Sequence, residues 1–329
     1  MKVLVYGFRE DETEEFELAR ERLGIEIICI RENLNRQTVE KAAGFRSIAI
    51  NAGSLMDREN VARLAQLGVQ NIATRSIGFD NVDLDACKEF GLRFANVHYS
   101  AHSVADYTVM LMLMLTRRMR DLLRRGEVQD YGYLGYQGRE LHNLTVGVVG
   151  TGRIGRTVIE DLAGFGCKIL GYDLYPNETL KKKIEYLPLE QLLARSDIIT
   201  LHAPLQDSSY HMINEKSIAG MKDGAMLINT ARGELVDTAA LIDGIESGKL
   251  GGAALDVLEG ERAYTFSDRR GQVIKSRERA LLQAFPNVIL TGHYAFYTDQ
   301  AVSDMVNIAL EALLQLEQTG HADSQIVSE

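Results

Sequence analysis

The sequence predicts an α/β protein of two doubly wound domains, the first of them discontinuous. Three observations carry this. Short apolar runs alternate with helical stretches from Val3 to Asn96, and again from Thr145 to Leu290. A glycine-rich turn follows the first run of the second series, and no such turn opens the first series. A long helical stretch, Asp299 to Gln318, comes after the second series has ended.

In the first series the strand candidates are Val3–Tyr6, Ile25–Ile30, Ser47–Asn51, Val69–Thr74 and Leu92–Asn96. Helical stretches Asp11–Leu23, Asn35–Ala43, Asp57–Gln66 and Asp83–Phe90 lie between them, which argues a parallel sheet with helices on its faces. Ser103–Arg118 is apolar on every side and predicts a buried helix between domains or subunits. Its methionines read as packing rather than as a ligand groove. The charged stretch Arg117–Arg125 reads as solvated surface, or in part as a cover for a partner subunit.

The second series runs through Thr145–Val149, Lys168–Tyr172, Asp197–His202, Ala225–Asn229, Gly252–Asp256 and Val288–Leu290. The final helix has no partner left there, so it is expected to cross back onto the first domain, leaving a polar tail. The expected domains are 1–98 with 298–329, which would bind substrate and complete the catalytic site, and 99–297, which would bind a nucleotide. An inter-domain cleft is the expected ligand site.

The totals narrow the class. A net charge of −10 gives no reason to expect nucleic-acid binding. The longest apolar run, Val109 to Leu115, is too short to span a bilayer. Cys29, Cys87 and Cys167 have no metal spacing and read as reduced core residues, and no metal site is expected. The chain opens directly on a strand pattern, Lys2–Tyr6, so no signal peptide is expected and the cytoplasm is the expected location.

The turn at Gly150-Thr151-Gly152-Arg153-Ile154-Gly155 has the spacing G-x-G-x-x-G between a strand and a helix. The first glycine permits the turn, the second lets a pyrophosphate approach, and the third lets helix and strand pack closely. The helix start adds N–H donors and a positive dipole end. A second strand ends on Asp173, 18 residues past Gly155, near the offset at which a carboxylate binds the ribose hydroxyls of NAD. The same acid would repel the 2′-phosphate of NADP. The bland alternative is a purely structural glycine turn.

Hydride chemistry on a carbonyl needs a proton donor, a cation for the oxygen and any carboxylate, and a group that holds the donor in its working state. Three strand ends offer these. Asn229-Thr230-Ala231-Arg232-Gly233 carries an arginine suited to bidentate carboxylate binding. Asp256-Val257-Leu258-Glu259-Gly260-Glu261 crowds three acids after a buried strand. Thr291-Gly292-His293-Tyr294-Ala295-Phe296 carries a histidine among aromatics. Taken singly, each has an ordinary reading as a surface salt bridge, an acidic loop or a structural histidine.

Together, in the order Arg232, Glu261, His293, these segments resemble the D-isomer-specific 2-hydroxyacid dehydrogenases, and the likeness covers essentially the whole chain. Within that family the chain looks most like the D-lactate dehydrogenases, including the vancomycin-resistance branch, through Val104-Ala105-Asp106-Tyr107-Thr108 and Gly251 to Glu261. The resemblance implies two Rossmann-like domains, NAD as cofactor and a homodimer. It implies that His293 donates the proton, Glu261 pairs with it, and Arg232 binds the substrate carboxylate. Ile77, Gly78, Tyr99 and Phe296 would complete the substrate site. Gly150, Gly152, Arg153, Ile154, Gly155, Asp173, Ala203, Pro204, Ser209, Thr230, Ala231, Arg232 and Asp256 would line the NAD site.

Two departures stand out. Gly292 precedes the histidine where many relatives have proline, and Tyr99-Ser100-Ala101-His102 replaces Tyr-Ser-Pro-Asn, adding a titratable His102 to the expected pocket wall. The expected reaction is NADH-dependent reduction of a small 2-keto acid, with pyruvate to D-lactate as the leading case. Bulkier keto acids (phenylpyruvate, 2-ketoisocaproate) and hydroxypyruvate remain open. So does, from another class, an NAD-sensing scaffold like the related corepressors.

Overall fold

Val3, Leu4 and Val5 are buried on both faces of the first strand, as the interior of a parallel sheet requires. In the computed structural model, which describes residues 1–327, this strand is β1 (Lys2–Val5). It lies between β2 (Glu26–Cys29) and β3 (Ser47–Ile50), and β4 (Asn71–Thr74) and β5 (Arg93–Ala95) extend the sheet, all parallel. Helices α1 (Thr13–Leu23), α2 (Arg58–Gln66) and α3 (Leu84–Glu89) supply crossovers. Asn35–Ala43, expected as a helix, holds just the short 3-10 turn Val39–Ala42. The reason is local: the Asn35 side chain accepts from the N–H groups of Gln37 and Thr38, an Asx turn that competes with helix formation.

Next come α4 (His102–Thr116) and α5 (Met119–Glu127). α4 buries Val104, Ala105, Leu111 and Met112, yet Asp106 is exposed and Met110 is 39% exposed. Within one chain the helix is therefore buried on part of its surface only. Arg117–Arg125 is not merely solvated surface either. Most of it is helical, and the Arg120 guanidinium donates to the carbonyls of Gln283, Phe285 and Val288.

The second sheet contains β6 (Thr145–Val149), β7 (Lys168–Tyr172), β8 (Glu185–Tyr186), β9 (Ile198–Leu201), β10 (Ala225–Asn229), β11 (Leu250–Leu255) and β12 (Val288–Leu290). Its order is β12-β11-β10-β9-β6-β7-β8, every pair parallel. Chain order reverses between β6 and β9, the switch point outside whose carboxyl ends α/β sheets bind ligands. Helices α6 (Arg153–Leu162), α7 (Leu189–Arg195), α8 (Glu215–Ala219), α9 (Thr238–Glu246) and α10 (Arg277–Ala284) complete this part.

The chain then returns to the first sheet. α11 (Asp299–Thr319) packs on α1, where Arg22 meets Glu311 at 2.6 Å and Asn307 at 2.7 Å. Glu317 accepts from Asn71 of β4 at 3.0 Å. The expected polar tail contains a further strand, β13 (Gln325–Val327), antiparallel to β5. Three residues with one buried side chain, Val327, are too few for a period-two pattern to show. The chain divides into two compact units, Met1–Ser100 with Tyr297–Glu329, and Ala101–Phe296. Among the described residues, no helix is long and apolar enough to cross a membrane.

Candidate active site

β6 runs into the glycine turn at the switch point. Gly150 lies at φ +90°, and its N–H donates to the Tyr172 carbonyl at 2.8 Å. A Cβ on Gly155 would sit 1.9 Å from the Gly150 oxygen, so α6 closes onto the strand end as a side chain would forbid. Gly152 caps α6 with extended backbone, and a Cβ there would meet open space. Arg153 and Ile154 begin the helix. These features fit a pyrophosphate at a ten-residue helix start.

Asp173 stands directly beside that turn. Its carboxylate accepts from the Thr151 N–H at 2.6 Å, the Thr151 hydroxyl at 3.0 Å and the Tyr175 N–H at 2.9 Å. Across the switch point, His202 donates its N–H to the Val149 carbonyl at 2.7 Å. Burial pushes its imidazole down to about 3, so the ring stays neutral. Ala203 and Pro204 follow. Ser209 holds their loop, its hydroxyl donating to Pro204 O at 2.8 Å and accepting from Gln206 N at 2.9 Å. The Thr230 hydroxyl lies 2.9 Å from that of Thr108 on α4, and Ala231 N donates to Asn229 Oδ1 at 3.0 Å.

The three chemistry-bearing residues follow adjacent strands: Arg232 after β10, Glu261 after β11, His293 after β12. His293 Nδ1 lies 2.6 Å from Glu261 Oε1, and Glu261 Oε2 accepts from the Leu258 N–H at 2.9 Å. Both carboxylate oxygens are thus engaged, which fixes the imidazole by its Nδ1 side. His293 sits at φ +62°, uncommon for a side-chain-bearing residue.

Asp256 makes that conformation. Its carbonyl accepts the His293 N–H at 2.7 Å, and its carboxylate accepts from Thr291 Oγ1 at 2.5 Å, Tyr294 N at 2.9 Å and Ala295 N at 2.8 Å. On the neighbouring strand end, the Arg232 carbonyl accepts from Asn229 Nδ2 at 2.7 Å. A Cβ on Gly233 would lie 2.1 Å from the Leu258 carbonyl carbon. The arginine loop and the Glu261 turn therefore touch through backbone. Phe266 and Phe296 flank the imidazole, their ring centroids 5.3 and 6.2 Å from it.

Ile77, Gly78 and Tyr99 belong to the first unit. Ile77 and Gly78 follow β4, where Arg75 is buried and bonded to Glu12 through Nε at 3.0 Å and Nη2 at 3.2 Å. Asn96 Nδ2 donates to Ile77 O at 2.9 Å, and Ser76 Oγ donates to Gly78 O at 2.8 Å. Tyr99 is buried. His102 is exposed at the start of α4, with ligand atoms within 4.8 Å of those of Asp106 and Asp161.

Residues 109–295 match the model of the D-isomer specific 2-hydroxyacid dehydrogenase NAD binding domain. An aromatic 2-oxoacid reductase of Clostridium sporogenes is 44% identical over 329 residues, 99% of each chain. The chain belongs to the D-isomer-specific 2-hydroxyacid dehydrogenases. A D-specific alpha-keto acid dehydrogenase of Enterococcus faecium is 42% identical, covering 96% of this chain and 97% of that one. The solved structure of a D-lactate dehydrogenase from Treponema pallidum superposes with a TM-score of 0.88 at 33% identity, covering 99% of this chain and all of that one. As a member of this family, the chain is an NAD-dependent dehydrogenase of 2-hydroxy acids.

Sequence reasoning missed Phe266, which lies in a stretch without periodicity and turns toward His293 from φ +58°. It also missed the contact of His211 with Glu259, since 48 residues separate them.

Proposed function

We propose that this dehydrogenase reduces 2-keto acids to D-2-hydroxy acids with NADH, His293 donating the proton to the C2 oxygen. The observation that carries this reading is the Glu261–His293 contact at 2.6 Å beside the Arg232 loop. When bound, NADH supplies the hydride. Arg232 anchors the substrate carboxylate and polarises its carbonyl. Glu261 holds the imidazole so that its Nε2 proton meets the oxygen that gains charge. Ile77, Gly78, Tyr99 and Phe296 contact the substrate, a role that rests on the family resemblance. The cofactor residues are those of the glycine turn together with Asp173, Ala203, Pro204, Ser209, Thr230, Ala231 and Asp256.

Pyruvate to D-lactate is the simplest case. Two observations favour a larger, aromatic side chain instead: Phe266 and Phe296 lie against the imidazole, and a 44% identical relative is named an aromatic 2-oxoacid reductase. Steady-state NADH oxidation with pyruvate, phenylpyruvate, 2-ketoisocaproate and hydroxypyruvate tests this. The expected result is a higher kcat/KM for phenylpyruvate. Preference for pyruvate would restore the smaller substrate, and no turnover on any of the four would overturn the reading.

The chain is proposed to work as a homodimer, because Met110 on α4 and Leu123 on α5 stay exposed in a single copy. A monomeric mass by light scattering would contradict that. The free thiols of Cys29, Cys87 and Cys167, each pushed up by burial, fit a reducing cytoplasm.

A further inference from the structure

Glu259 lies in the turn that carries Glu261 but faces another way. Its Oε1 is 3.0 Å from His211 Nε2 and accepts from the Tyr210 hydroxyl at 3.3 Å. Its Oε2 accepts from the hydroxyl of Thr238, the first residue of α9, at 3.3 Å. His211 is itself held firmly. It sits at φ +49°, donates its N–H to Glu234 O at 2.9 Å, and accepts from Asn214 Nδ2 at 2.9 Å. The Tyr210 ring stacks on its imidazole, with centroids 3.9 Å apart. The segment around it is tied to the stretch after Arg232, since Ile213 N donates to Leu235 O at 3.0 Å and Asp237 N to Ile213 O at 2.8 Å.

We propose that His211 and Glu259 are a positioning pair for catalysis, fixing the Leu258–Glu261 turn and through it the carboxylate that orients His293. The inference rests on the reading of Glu261 and His293 given above. The chain of contacts is short. Glu261 depends on the Leu258 N–H for one of its two oxygens. Leu258 is followed directly by Glu259, whose side chain spans from His211 to Thr238. Gly260, at φ +73°, then turns the backbone toward Glu261. Val257 and Leu258 are buried, so the turn stays packed without the Glu259 contacts. What is lost is the placement of the Leu258 N–H, and an error of about an ångström at a catalytic group costs on the order of 100-fold.

Arg232 comes just before the stretch, Glu234 to Asp237, that forms the far side of the same network. The pair therefore joins the stretch after Arg232 to the turn that carries Glu261, through the His211 N–H and the His211–Glu259 side-chain contact, beside the backbone contact at Gly233.

The test is steady-state reduction of phenylpyruvate by full-length Glu259→Gln, His211→Ala, His211→Gln and the double variant. Glu261→Gln and His293→Gln serve as references. Glu259→Gln and His211→Ala are expected to lower kcat about tenfold while leaving the KM for NADH within about twofold. His211→Gln should recover most of the loss, because its amide nitrogen reaches the place of Nε2. The double variant should be no worse than either single one, as for residues acting as a unit. Glu259→Gln is nearly isosteric and carries the test alone if His211→Ala does not fold.

Wild-type kcat in Glu259→Gln would overturn the inference, as would losses in the two singles that simply multiply. If Glu261→Gln and His293→Gln are inactive while the pair variants are silent, the inference alone fails. If those two references are fully active, the catalytic reading fails and the inference falls with it.

Discussion

The His293 N–H donates to the carbonyl of Asp256 at 2.7 Å, and the carboxylate of the same aspartate takes three more donors from the turn around that histidine. Asp256 thus shapes the turn that carries His293 as well as belonging to the expected cofactor set. Asp256→Asn leaves one oxygen and puts an amide N–H₂ against backbone donors. The expected cost is about 1–3 kcal/mol of stability, with a fall in kcat. Urea denaturation and steady-state rates check both, and a variant with unchanged kcat would show that the turn keeps its shape unaided.

The proposed preference for NADH over NADPH rests on Asp173. Removing its charge in Asp173→Ala should weaken NADH binding about tenfold or more, and raise the relative use of NADPH. Part of the loss comes from the bonds to Thr151 and Tyr175 that shape the glycine turn. The measurement is kcat/KM for each cofactor. An unchanged NADPH-to-NADH ratio would mean that this carboxylate only builds the turn.

In the first unit, Arg75 and Glu12 form an ion pair with no exposed side-chain surface on either partner. Arg75 also donates to the carbonyls of Tyr6 at 3.2 Å and Gly7 at 2.9 Å. Glu12→Ala leaves a buried cation without its carboxylate, which costs roughly 3–5 kcal/mol. Chemical denaturation of the variant reads this directly. A loss below about 1 kcal/mol would mean that the carbonyls alone suffice.

The His202 ring stays neutral in the folded chain down to about pH 3, whereas it titrates at 6.5 when unperturbed. Between those values the unfolded chain binds one more proton than the folded one. Stability should therefore fall as pH drops through that window, by at most about 1.4 kcal/mol per pH unit from this residue. His202→Gln should flatten that slope in denaturation curves taken at several acidic pH values. An unchanged slope would mean that other groups set it.

Much of the second unit could be read from local pattern. The run Thr145–Val149, the glycines and Asp173 lie close in sequence, and each has a spacing that physics demands. The Arg232, Glu261 and His293 segments were visible as strand ends because apolar strands stop sharply there. What bound them together was not visible. Asp256 reaches Thr291 across 35 residues, and the Thr108 and Thr230 hydroxyls meet across 122. Such contacts leave no periodic trace. Asn35–Ala43 misled because helical composition was outweighed by one side-chain turn. Arg120 departs from its charged pattern because its guanidinium caps three backbone carbonyls.

The most direct measurement is the rate of phenylpyruvate and pyruvate reduction by His293→Gln, alongside its affinity for NADH by fluorescence titration. Loss of the proton donor predicts a drop in kcat of at least about 100-fold with cofactor affinity preserved. A variant that keeps its rate on either keto acid would contradict the role of His293 as proton donor.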